Sequence, residues 1–119
     1  MKDPDTAFAL LSNVLRRHAA NLSIKVDEPG HLYVELPLAK PRDKPRFFGA
    51  VQIKKSYVSY HLMPVYEDPG LLAGISDALR KKMQGKSCFN FDTIEPPLMT
   101  ELSGLVKQGA NRYKAAGKL

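Results

Sequence analysis

The segment FFGAVQIKKSYVSYHLMP, residues 47–64, carries the clearest fold signal in this 119-residue chain. Apolar and polar residues alternate with period two on both sides of Lys55-Ser56, which predicts two antiparallel strands joined by a turn. In the first strand, the face predicted to point to the core carries Phe47, Gly49, Val51 and Ile53. The opposite face carries Phe48, Ala50, Gln52 and Lys54. In the second, Val58, Tyr60 and Leu62 are expected in the core, with Ser59 and His61 on the wetter face.

A second hairpin is predicted upstream of this segment. Ser23 to Asp27 alternates in the same way, Pro29-Gly30 provides a turn, and the alternation resumes from Leu32 to Leu36. Residues 37–46 contain three prolines and four basic residues without apolar periodicity, which is typical of an extended basic loop.

Helical periodicity brackets the strands. It predicts a first helix from about Asp5 to Ala20 and, after Pro96-Pro97, a last helix to about Ala116. Between them, Ser76 is expected to cap a helix over residues 77–84 that ends at Gly85, and residues 87–92 form a strand. Gly104 and Gly109 in the last helix indicate a close neighbour at each position.

This order predicts one α+β domain over residues 1–119. The predicted architecture is a two-layer sandwich, an antiparallel β-sheet with N- and C-terminal helices packed on one face. The alternation leaves open which edge of the sheet the strand after Gly85 joins.

The chain is basic, with 18 Lys and Arg against 12 Asp and Glu, for a net charge of +6. A positive field favours anionic partners, whereas a net charge of this size is also typical of solubility alone, and both interpretations stay open. The apolar runs are far shorter than the ~20 residues that span a bilayer, and Asp3 and Asp5 stand where a signal peptide would carry bases. Together with a lone cysteine, these features predict a cytoplasmic protein without a membrane partner.

Catalytic and metal-binding patterns are missing from the sequence. The three histidines are far apart, the acids are scattered and the phosphate-binding glycine motifs do not occur, so neither a cofactor nor a metal is expected. Cys88 and His61 could meet across the sheet as a nucleophile and its base, but a lone strand cysteine is more typical of a small buried hydrophobe. The expected protein is therefore not an enzyme.

The candidate site combines bases and aromatic residues around one hairpin. The residues proposed to bind an anion are Lys54, Lys55, Tyr57, His61, Lys86, Ser87 and Asn90, with Tyr60 nearby. The competing interpretation places Tyr60 in the core and leaves the lysines solvated. Nucleic acid is not the expected partner, because no paired aromatics of the RNA-recognition type, KH loop or helix-turn-helix is evident.

Residues 47–64 together with GKSCFNF at 85–91 resemble the YdhG-like family of small bacterial domains, and the last helix, with Glu101, Leu102 and residues 107–113, fits as well. The resemblance covers roughly residues 5–115. It implies an α+β fold with helices against an antiparallel sheet. A related branch, the frataxin-like iron chaperones, would imply iron delivery for iron–sulfur assembly, but the few acids of the first helix and strands favour the fold without the iron.

Three functions remain after this comparison. The leading hypothesis is a small binding or adaptor domain whose basic sheet face engages an anionic small molecule or an acidic protein surface. The first alternative is a frataxin-like iron chaperone. The second is a structural homodimer, suggested by the apolar Phe48 and Ala50 on the predicted outer face.

Overall fold

Both predicted hairpins lie in one antiparallel sheet. The computed structural model of the chain describes residues 3–38, 40 and 42–117, so Ala39 and Pro41 of the predicted basic loop lie outside the described residues. The strands are β1 (Ser23–Glu28), β2 (His31–Glu35), β3 (Phe47–Ile53), β4 (Val58–Leu62), β5 (Met83–Gln84) and β6 (Cys88–Phe91). Their order in the sheet is β1-β2-β3-β4-β6-β5. The strand after Gly85 therefore joins the sheet beside β4, which the sequence pattern left undecided.

The helices form the second layer. They are α1 (Pro4–Arg16), α2 (Met63–Glu67), α3 (Asp77–Arg80) and α4 (Pro96–Ala115), with a 3-10 turn at Pro69–Leu72. Asp3 caps α1 by accepting a hydrogen bond from the Thr6 backbone N–H at 3.1 Å. Hydrogen bonds with the side chain and the backbone of Thr6 lower the pKa of the Asp3 carboxyl group. α1 packs against β3, β4 and α4, so both terminal helices share one face of the sheet. The predicted α+β two-layer sandwich is confirmed.

The core contains the strand residues that the alternation assigns to it. Val58, Tyr60 and Leu62 are fully buried, while Ser59 and His61 between them remain partly exposed. Leu11 and Leu15 of α1 and Leu102 of α4 complete the same cluster. The alternation with period two therefore predicted the orientation of β4 correctly, because every second side chain of the strand enters one apolar layer.

A bulge changes the orientation of the first two residues of β3. Val34 pairs with Gly49 and Glu35 with Phe47, so Phe48 has no cross-strand partner. Phe48 is fully buried and its ring meets the Tyr113 ring edge-on, with 5.8 Å between the centroids. The prediction that Phe47 faces the core and Phe48 the outside is therefore wrong. Phe48, the larger of the two residues that suggested a homodimer, therefore does not lie on the outer face and no longer supports that alternative.

Two helix ends and one additional short helix also differ from the prediction. α1 ends at Arg16 rather than near Ala20, and α3 ends at Arg80, because the chain after it pairs with β6 as β5. Gly85, with φ of +80°, turns the β5–β6 hairpin instead of ending a helix. Met63–Glu67 is helical with Pro64 in its first turn, where the missing N–H costs no helical hydrogen bond.

The two glycines of α4 lie in different surroundings. A Cβ at Gly109 would lie 2.7 Å from the Cβ of Pro64, so α4 crosses α2 closely at this point. A Cβ at Gly104 would have no neighbouring atom within 4 Å. The predicted close approach is right for Gly109 and wrong for Gly104.

Candidate functional site

The candidate site is an open groove on the face of the sheet opposite α1 and α4. Its volume is about 400 Å³, and residues of β2, β3, β4, β5 and β6 line it. These side chains alternate with core residues along each strand, so they are half-buried or exposed rather than packed beneath the helices. The register of the sheet therefore brings side chains from five strands to one surface.

A row of rings forms the floor of this groove. The Tyr33 and Phe47 ring centroids are 4.9 Å apart, and those of Phe47 and His61 are 4.7 Å apart. His31 extends the row at the other end, with its ring 6.3 Å from that of Tyr33 in an edge-on arrangement. These contacts cross the neighbouring strands β2, β3 and β4, so each ring partly supports the next.

The structure brings together four of the seven candidate residues. Lys54, Tyr57, His61 and Asn90 all line the groove. Lys54 and Tyr57 flank the β3–β4 turn, which is closed by a 2.8 Å hydrogen bond from the Lys54 backbone N–H to the Tyr57 carbonyl.

The remaining three candidates lie around the groove. Ser87 is buried, and its Oγ is 2.7 Å from Nε2 of His61. Lys55 and Lys86 are exposed on the β3–β4 and β5–β6 turns, outside the groove lining. Tyr60 is fully buried in the core, as the competing interpretation held for this residue.

Charge is unevenly distributed along the groove. Glu28 and Glu35 are the cross-strand partners of His31 and Phe47, which places two carboxylates toward the β1–β2 side. Lys54, directly after β3, supplies an ammonium group to the groove lining.

A second depression adjoins this positive side. It has a volume of about 300 Å³ and shares Tyr57 and Asn90 with the groove. Lys81 and Lys82 line it, and the Lys82 ammonium lies 3.5 Å from a carboxylate oxygen of Asp92. Lys54, Lys81 and Lys82 thus lie outside β1 and β2, the two strands that carry Glu28 and Glu35.

Cys88 and His61 do meet across the sheet, as cross-strand partners on β6 and β4. Burial raises the pKa of the Cys88 thiol, although the nearby Lys54 charge opposes that shift. Burial lowers the pKa of His61, which keeps its imidazole neutral at pH 7. A raised pKa disfavours the thiolate form of Cys88 that nucleophilic attack requires.

Within residues 3–38, 40 and 42–117, no three His, Cys, Asp or Glu side chains are grouped so that they could hold a metal ion. Over the same residues, no helix has the length and apolar character needed to cross a bilayer.

Sequence reasoning missed Tyr33 and Phe47 as site residues. The alternation of β2 did place Tyr33 on the outer face, but no partner for it was recognised there. Phe47 was assigned to the core because strict alternation leaves no room for a bulge. The signal was the Phe47-Phe48 pair itself, since successive side chains of a strand point to opposite faces.

Comparisons with protein-family models, with curated proteins and with solved structures find no match to this chain. The resemblance to the YdhG-like family therefore stays a prediction.

Proposed function

We propose that this protein is a non-catalytic binding module that holds an anionic ligand on the open face of its sheet. The observation that carries the proposal is the convergence of Lys54, Tyr57, His61 and Asn90 on one groove. These residues come from β4, β6 and the β3–β4 turn, so only the folded sheet brings them together.

The groove offers the chemistry that recognition of an anion requires. The ammonium of Lys54 neutralises charge, and the side-chain amides of Gln52 and Asn90 donate hydrogen bonds. Half-buried rings exclude water from the floor, which strengthens each polar contact above it. The carboxylates at the β1–β2 side orient an anion toward Lys54.

The first experiment identifies the ligand. Protein purified gently from its own host is examined by native mass spectrometry, and we expect a retained anion or an acidic partner that is lost at high salt. A retained metal ion and no anion would contradict the proposal.

The second experiment tests the place of binding with charge reversals. We expect Lys54→Glu to weaken binding of the retained anion by about tenfold or more, as removal of a charge-assisted contact does. Lys86→Glu, at the neighbouring turn, has a smaller effect. Lys107→Glu, an exposed lysine of α4 on the other layer, changes the net charge equally and is the matched control. Equal losses for Lys54→Glu and Lys107→Glu would contradict a site on the sheet.

The two alternatives from the sequence gain no comparable support. In the described part of the chain, no metal-binding group of three side chains favours iron delivery. Phe48, which suggested a homodimer, lies in the core. The anion-binding proposal is therefore the one that a groove lined by several candidate residues supports.

A further inference from the structure

We propose that the anionic ligand is a single-stranded nucleic acid, with bases stacked on the Tyr33–Phe47–His61 row and phosphates directed toward the lysines beside it. This inference rests on the proposed function, because it names the class of anion that the same groove binds.

The aromatic row matches what a single strand requires. Open antiparallel sheets bind single-stranded RNA by presenting aromatic side chains from neighbouring strands, on which successive bases stack. Here Tyr33, Phe47 and His61 come from the neighbouring strands β2, β3 and β4, and their centroids are 4.9 and 4.7 Å apart. All three residues are half-buried and line the groove on the face that α1 and α4 leave open.

The bulge at Phe48 decides which phenylalanine belongs to this row. With strict alternation, Phe48 would face outward and Phe47 would enter the core, whereas the observed register places Phe47 between Tyr33 and His61. From the sequence, nucleic acid is not the expected partner, because no paired aromatics of the RNA-recognition type, KH loop or helix-turn-helix is evident. The row of Tyr33, Phe47 and His61 is an aromatic surface that this pattern does not show.

The length and polarity of the groove favour a nucleic-acid strand over a small anion. Its lining runs from β2 to β5, which is four strand spacings or about 19 Å. Lys54 lies in the groove, Lys81 borders the adjoining depression, and Lys55 and Lys86 occupy the two neighbouring turns. Phosphates are thus attracted to one side of the aromatic row, while Glu28 and Glu35 repel them from the other. The net charge of +6 adds a long-range attraction for a polyanion.

Fluorescence anisotropy with a labelled single-stranded RNA tests the inference. The RNA is about 12 nucleotides long, which is within the ~4–16 nucleotides that one small OB-fold domain occupies. The full chain is compared with Phe47→Leu, which keeps an apolar side chain but removes the ring. We expect Phe47→Leu to weaken binding by about 10- to 100-fold, the cost of one lost base–aromatic stack. Tyr66→Leu removes an exposed ring on α2, outside the groove, and should leave the affinity unchanged.

Inorganic polyphosphate is the comparison ligand, because it carries the charge of the RNA without bases. We expect it to bind more weakly than the RNA and to be insensitive to Phe47→Leu. Equal affinity for both ligands, with no effect of Phe47→Leu on either, would overturn the nucleic-acid inference and leave the proposed anion site intact. Failure of both polyanions to bind would overturn the inference, and would overturn the proposed function only if native mass spectrometry also finds no anion.

Ultraviolet cross-linking of the unmodified protein keeps the test decisive if Phe47→Leu does not fold. Peptides that carry Tyr33 or Phe47 should be the main cross-linked products with the RNA. Cross-links confined to α1 or α4 would overturn the inference.

Discussion

Phe47 and Phe48 have the same side chain, yet one forms part of the open face and the other fills the core. A β-bulge in β3 accounts for the difference: Val34 and Glu35 of β2 pair with Gly49 and Phe47, and Phe48 is the extra residue between them. Phe48 is fully buried against Tyr113, whereas Phe47 is half-buried between Tyr33 and His61.

Alanine at each position tests this assignment. Phe48→Ala should lower the free energy of unfolding by about 3–5 kcal/mol, since it leaves a cavity in the core. Phe47→Ala should cost about 1–2 kcal/mol, because it removes only partly buried ring contacts. Urea unfolding of both variants measures the two costs, and a larger loss for Phe47→Ala would refute the bulge.

Tyr60 carries a hydroxyl group in the middle of the core. The side chain is fully buried, and its oxygen has no hydrogen-bond partner among the described residues. The same burial strongly raises the pKa of the phenol. We expect Tyr60→Phe to raise the free energy of unfolding by about 1 kcal/mol, because it removes an unsatisfied polar atom without leaving a cavity. A destabilised Tyr60→Phe in denaturant unfolding would show that the hydroxyl group is satisfied in solution.

His61 should make the stability of the fold depend on pH. Its pKa is lowered by burial from the ordinary value of 6.5, so the unfolded chain binds this proton more tightly than the folded one. The stability linked to neutral His61 is therefore present above pH 6.5 and is lost as the pH falls through the lowered pKa. When the pH falls from about 7.5 to about 5, the free energy of unfolding should decrease less for His61→Gln than for the unmodified chain. His18, whose pKa burial also lowers, remains in both proteins and cancels in the comparison. Identical pH profiles from thermal unfolding would contradict the burial of His61.

At the scale of the elements, α4 shows how one helix face is shaped by its neighbour. Gly109 allows the backbone of α4 to approach Pro64 of α2, whereas Gly104 faces open space. Gly109→Ala should therefore lower the free energy of unfolding by about 1–3 kcal/mol through overpacking. Gly104→Ala should raise it by about 0.5–1 kcal/mol, the difference in helix propensity. Denaturant unfolding of this matched pair checks both signs, and a stabilised Gly109→Ala would contradict the close crossing of α2 and α4.

The sequence predicted the long elements well and the short ones poorly. Apolar periodicity over α1, β4 and α4 was sufficient because one face of each is buried over its whole length. β5 has only two residues, and its pairing with β6 replaces the last turn of a predicted helix, an outcome decided by tertiary hydrogen bonds. The same holds for α2, a single helical turn directly after β4 that the alternation does not predict.

At the scale of the whole molecule, the fold separates two kinds of surface. The helical layer covers the apolar face of the sheet, and the opposite face exposes rings with carboxylates toward one side and lysines toward the other. Part of this site was accessible from sequence, because the alternation of β4 predicted an outward His61 beside the hairpin lysines. The outward Phe47, its contact with Tyr33 and the distribution of charge were not, since they depend on the register of β2 with β3 and on the position of the bulge.

Electrostatic binding on this face should weaken with salt. If about three phosphates are neutralised, the logarithm of the RNA association constant should fall with the logarithm of salt concentration at a slope of about −2. Lys54→Gln should make this slope shallower by about 0.7, the contribution of one phosphate contact on a single strand. Lys107→Gln, on α4, should leave the slope unchanged. Anisotropy titrations at several salt concentrations measure all three slopes, and a slope near zero in the unmodified protein would exclude binding through phosphates.

The central claim is that the open face of the sheet is the binding surface. A titration of the ¹⁵N-labelled chain with the single-stranded RNA, followed by amide chemical shifts, tests it most directly. We predict that the largest shifts fall on β2, β3 and β4, at Tyr33, Phe47 and His61, and continue to Lys54 and Asn90. Shifts concentrated on α1 and α4, with the sheet unchanged, would contradict the claim.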